Sequence, residues 1–103
     1  MDKEVYAFFR YLKEKLPTAK PTYLRTRDLK KYDGITNHKS DSNIIVLDKK
    51  LQLGPAIDCL IHEYAHCGSG YGGAEDAHTA DWARWYGRTY RAYVKFKYHV
   101  GDW

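Results

Sequence analysis

The stretch His62-Glu63-Tyr64-Ala65-His66, an HExxH motif, constrains this chain more than any other feature. Ile57, Leu60, Ile61, Tyr64 and Ala65 surround the motif with apolar groups, which predicts a buried helix. Residues four apart on a helix lie one above the other, so His62 and His66 can turn their imidazoles toward one metal ion. Glu63 is rotated by about 100° from His62 and stands at the rim, placed to polarise a water rather than to ligate. The pattern is that of a zinc hydrolase, usually a peptidase.

A catalytic zinc generally takes three protein ligands and leaves its fourth position to water. His78 is the expected third ligand. The glycine-rich run over 68–73 lets the next helix fold back and present its first turn, and His78 shares a side with Trp82 and Trp85. Glu75, Asp76 and Asp81 are its rivals, because carboxylates complete other zinc sites. Glu75 and Asp76 equally suit the positive end of a helix. The longer pattern HExxHxxGxxH is excluded, since Ser69 and Gly72 occupy its glycine and third-histidine positions. The glycine run also lacks the lysine and hydroxyl residue that end a phosphate-binding loop.

With zinc bound, Glu63 is expected to take the proton of the activated water and pass it to the leaving amine. Tyr71, Tyr86 and Tyr90 are candidate donors to the oxyanion. Asp58, one turn before His62, reads either as an acceptor orienting that ring or as a solvent-facing carboxylate. Cys67 points about 100° away from His66 and is expected as a small buried thiol.

At 103 residues, 44% hydrophobic and 29% charged, the chain suits one small globular domain over 1–103. Its expected fold class is α+β. Asp2 caps a first helix with Val5, Phe8, Phe9, Leu12 and Leu16 at helical spacing, and Pro17 ends it. Residues 22–26 read as a strand, 28–32 are ambiguous, and Asp33-Gly34 signals a turn. Residues 35–38 and 43–47 read as a hairpin, giving a small antiparallel sheet of about three strands. Pro55 suits the first turn of the motif helix and Gly68 its end. A long helix is expected over 77–97.

No apolar run approaches the roughly 20 residues of a membrane span. Met1-Asp2-Lys3-Glu4 has no signal-peptide core, so a cytoplasmic location is expected, in a bacterial or phage-infected cell. Cys59 and Cys67 lie about 12 Å apart along the helix, too far for a disulfide, which suits a reducing compartment. A monomer is expected. Arg84, Arg88, Arg91, Lys95 and Lys97 interleave with Trp85, Tyr86, Tyr90 and Tyr93. A solvated face with inward rings is the preferred reading of that run, and DNA contact through this C-terminal helix is the other. His38 and His99 are expected at the surface.

The run His62-Glu63-x-x-His66, a short glycine-containing insert, then His78 with Trp82 four residues on, resembles the SprT-like zinc metallopeptidases. The resemblance covers most of the domain, with the specific motifs confined to 57–90. It implies a zincin-like minimal core of a leading helix, a small sheet and two active-site helices. It also implies three ligands (His62, His66 and His78), a Zn2+ cofactor and Glu63 as the catalytic residue. Thr79 departs from the glycine that often follows the third histidine. Two cysteines cannot supply the zinc ribbon of several members. The implied activity is endopeptidase cleavage of a protein or peptide substrate. Members linked to DNA–protein crosslink repair use additional DNA-binding regions, so DNA-associated proteins are a substrate class suggested but not implied. Two other readings stand beside it. One is a non-catalytic zinc-containing module that binds nucleic acid or protein. The other is a three-histidine ribonuclease, in which Glu63 is out of place.

Overall fold

The structure is a computed structural model that describes residues 1–70 and 78–98. Helix α1 (Lys3–Lys15) begins at Asp2, whose carboxylate accepts the Glu4 N–H at 2.8 Å. Its spaced apolar residues Val5, Phe8, Phe9 and Leu12 are all buried, as amphipathic periodicity requires. Three strands follow: β1 (Thr22–Arg27), β2 (Gly34–His38) and β3 (Asn43–Asp48). Helix α2 (Leu53–Ser69) carries the HExxH motif, and α3 (Ala80–Tyr98) completes the described chain. None of the described helices is long and apolar enough to cross a membrane.

The sheet is mixed, not antiparallel as expected. Its order is β1-β3-β2, with β3 antiparallel to β2 and parallel to β1. The β2–β3 hairpin is present, and residues 28–33 form an irregular connection. The reason for the order is burial. Asn43-Ile44-Ile45-Val46-Leu47 is the most apolar strand, and a strand flanked on both sides loses the most solvent contact. β3 therefore takes the centre, while Thr22-Tyr23-Leu24-Arg25-Thr26-Arg27 alternates and tolerates an edge. The 28–33 connection needs only to step across two strand spacings, about 10 Å, which six residues span easily.

Ile45 and Leu47 face the helices and join Phe8, Leu12, Leu60, Ile61 and Tyr64 in one core. The Tyr64 hydroxyl donates to the carbonyls of Leu16 (2.8 Å) and Leu12 (3.3 Å), tying the motif helix to the end of α1. The Leu16 carbonyl lies past the last turn of α1, where no intrahelical donor follows, while the Leu12 carbonyl also accepts the Leu16 N–H at 2.8 Å. Phe8 meets Tyr93 edge-on at 5.0 Å, so α3 closes over the same core.

Gly68 does not end the motif helix. The helix runs on to Ser69, and Gly70, at φ 82°, supplies the left-handed cap whose N–H reaches the His66 carbonyl. Gly68 serves packing instead: a Cβ there would fall well inside contact distance of the Trp85 indole, so its absence lets α2 and α3 approach. Nor does α3 begin at residue 77 as expected. Thr79 caps it, its hydroxyl accepting the Trp82 N–H at 3.2 Å. His38, expected at the surface, is half-buried. Its Nδ1 lies 2.8 Å from Asn43 Oδ1, and its buried Nε2 meets no partner among the described residues.

Candidate metal centre

Helix periodicity stacks His62 and His66 on one face of α2, and their Nε2 atoms lie 3.3 Å apart. The close approach at Gly68 brings the start of α3 alongside. There His78, just ahead of the Thr79 cap, places its Nε2 3.1 Å from that of His62. The three ring centroids form a nearly equilateral triangle with sides of 4.9, 4.9 and 5.0 Å. One nitrogen from each ring lies within 4.8 Å of the others. A zinc–nitrogen bond of about 2.0–2.1 Å at tetrahedral angles separates two ligand nitrogens by about 3.3 Å. The His62–His66 and His62–His78 separations match that edge length. Nitrogen lone pairs crowded this closely repel unless a cation or proton lies among them, so the donor set fits a borderline-soft metal ion.

Each ring sits in a different environment. His66 is buried, His62 is half-buried and His78 is exposed. Burial, more than the attraction of Glu63 or the repulsion of His78, holds the His62 pKa below that of a free imidazole. His62 is therefore neutral at neutral pH, and its 4.0 Å approach to Glu63 Oε2 is not an ion pair. Neutral imidazole is the form that ligates a metal. Trp82 packs against all three rings, at centroid distances of 5.1, 5.7 and 4.6 Å, and its Nε1–H donates to the His62 carbonyl at 3.3 Å.

Glu63 is only 7% exposed, yet one carboxylate oxygen faces the cluster. The other accepts the Thr36 hydroxyl at 2.6 Å. Thr36 lies on β2, the edge strand beside α2. The bonds Lys39 N–H to Ser42 O and Asp48 N–H to Asp33 O set the ladder register. The alternation of an antiparallel pair then directs the N–H and C=O of Gly34, Thr36 and His38 to the open edge. Two clefts of about 410 and 580 Å3 flank Glu63 along this edge. His66 lines the first; His62, Asp58 and Tyr86 line the second.

His62, His66 and His78 thus come together, with Glu63 beside them. Asp81 does not join them; it lies 3.8 Å from Arg84. Asp58 makes no hydrogen bond to His62 and is exposed, and Cys67 is buried in the core. Both cysteines are free. Of the candidate oxyanion donors, Tyr86 packs on Trp82 at 5.2 Å and reaches the cleft, whereas Tyr90 is exposed to solvent. Tyr71, Glu75, Asp76 and His99 lie outside the described residues.

Thr36 escaped the sequence reading. Its only signal was strand alternation, which places it on the same side as Gly34 and His38, and nothing in that pattern says which helix lies opposite. Trp82 was legible as an inward-facing ring, but not as the floor of the three-histidine cluster. No family model, curated protein or solved structure matches the chain.

Proposed function

We propose that this chain is a zinc-dependent metallopeptidase with a SprT-like, zincin-type core. The observation that carries this reading is the convergence of His62, His66 and His78 with Glu63, whose carboxylate is held beside them by Thr36. Zinc, when bound, supplies an activated water and a Lewis acid for the scissile carbonyl. The protein's residues do the remainder. His62, His66 and His78 would hold the ion. Glu63, anchored through one oxygen, keeps the other free to accept a proton and return it to the leaving amine. Tyr86, which lines the cleft beside Glu63, would be the phenolic donor to developing negative charge.

The open edge of β2 favours a peptide as the substrate. An extended chain can add to such an edge by main-chain hydrogen bonds, which lays its backbone across the clefts beside Glu63. Glu63 also speaks against a purely structural zinc site, where a buried carboxylate beside the ligands would serve no purpose.

The test combines metal analysis with proteolysis. Wild type is expected to hold one zinc per chain and to cleave a denatured protein such as casein. Glu63→Gln keeps the zinc and loses cleavage, while His78→Ala loses both. Full cleavage by metal-loaded Glu63→Gln would remove the general-base role, and undiminished zinc in His78→Ala would remove the third ligand.

A further inference from the structure

Arg84, Arg88, Arg91 and Lys95 recur on α3 at i, i+4, i+7 and i+11. At about 100° per residue they fall within an arc of about 60°, on the side of the helix opposite Trp82 and Tyr86. They form a straight cationic stripe about 16 Å long that faces away from the metal cluster. Helix α3 carries five cations against Asp81 alone, an excess of four, which equals the net charge of +4 of the whole chain. The charge of the molecule is thus concentrated on this helix. Among the described residues, Asp81 meets only Arg84 at the end of the stripe, and Arg88, Arg91 and Lys95 have no carboxylate partner. These three line a groove of about 320 Å3 against α1, where Lys15 adds a fifth positive group.

Four aromatic rings of the same helix, Trp85, Tyr86, Tyr93 and Phe96, pack toward the core. The apolar groups lining the groove, Tyr11, Leu16 and Ala92, are half-buried against that core, so the stripe has no exposed ring as a central anchor. A protein–protein contact draws its affinity from such an anchor. A phosphodiester backbone needs only charge, and duplex DNA presents one phosphate on each strand per about 3.4 Å of helix axis. Each strand winds about that axis, so the straight stripe meets a few phosphates and not one at every step of rise. Arginine, which supplies three of the four positions, pairs bidentately with phosphate oxygens.

We infer that the outer face of α3 binds the sugar-phosphate backbone of nucleic acid, without regard to sequence. The nucleic acid is a platform and not a substrate, because the stripe and the metal cluster lie on opposite sides of α3. This inference does not rest on the peptidase reading and is tested without any assay of cleavage.

The measurement is fluorescence anisotropy of the full chain with labelled duplex DNA of about 30 base pairs, in two unrelated sequences, from about 50 to 200 mM salt. Equal affinity for both sequences is expected, with a log–log salt slope of about −3 to −4. The variant Arg88→Gln/Arg91→Gln/Lys95→Gln weakens binding about tenfold or more and flattens the slope by about 2 to 3. Lys3→Gln/Lys31→Gln/Lys49→Gln removes the same charge elsewhere and has little effect. Circular dichroism checks the fold of each variant, and the single reversal Arg91→Glu replaces the triple variant if that one is unfolded. Equal weakening by both triple variants, or no weakening by either, overturns the inference. So does competition by polyglutamate as effective as that by unlabelled duplex, which would assign the stripe to an acidic protein.

Discussion

A single hydroxyl decides how Glu63 is presented. Thr36 donates to one carboxylate oxygen at 2.6 Å from a strand that is itself held in the sheet. A hydrogen bond to a charged acceptor is among the stronger kinds and restricts the rotamers of a long side chain. On the proposed peptidase reading, Thr36 is a positioning residue. Thr36→Val keeps the side-chain shape and removes the donor, so turnover on a peptide substrate should fall about tenfold with zinc content unchanged, a fraction of the roughly 10²–10⁴-fold that a general base itself contributes. Thr36→Ser restores most of the rate. Kinetics paired with metal analysis separates this from a folding defect, and equal turnover in Thr36→Val would end the role.

At the scale of elements, the crossing of α2 and α3 at Gly68 and Trp85 builds the site. His62 and His66 belong to one helix, but His78 stands just ahead of the next, and its distance from them depends on how closely the helices pack. Gly68→Ala forces the Trp85 indole away. Overpacking of this kind costs about 1–3 kcal/mol, so the urea midpoint should fall. The same displacement carries His78 outward, and zinc affinity should fall with it in a competition titration against a chelator. A loss of stability with zinc affinity intact would show that the crossing and the site are independent. Element boundaries were only partly legible beforehand. The cap at Asp2 is a local contact and was readable, whereas Gly68 resembled a helix stop because a glycine forced by a neighbouring indole looks the same in sequence as one forced by φ.

At the scale of the whole molecule, the core fills a three-stranded sheet and three helices with large rings, and it encloses groups that titrate. Burial pushes both the Cys59 and Cys67 thiols up to about 12 and raises the Tyr64 phenol as well. A thiol raised in the folded state favours folding fully below its unfolded pKa, about 8.5, and that contribution is lost as pH rises toward the folded value. Stability to urea should therefore decline from about pH 8.5 toward pH 12. At pH 8 the native thiols should resist alkylation that proceeds readily in denaturant, since burial disfavours the reactive thiolate in each. Fast native labelling of both would contradict their burial.

Local chemistry along the chain was enough to determine the two-histidine face of α2, the first helix with its cap, the β2–β3 hairpin and the spacing of cations on α3. These depend on periods of two and 3.6 residues and on contacts between near neighbours. The tertiary structure alone decided the strand order and the hold of Thr36 on Glu63, and it supplied the packing that brings His78, the expected third histidine, to the other two rings. Each joins segments distant in sequence, and their separation is set by how side chains fill the space between packed elements, a quantity that no local period encodes.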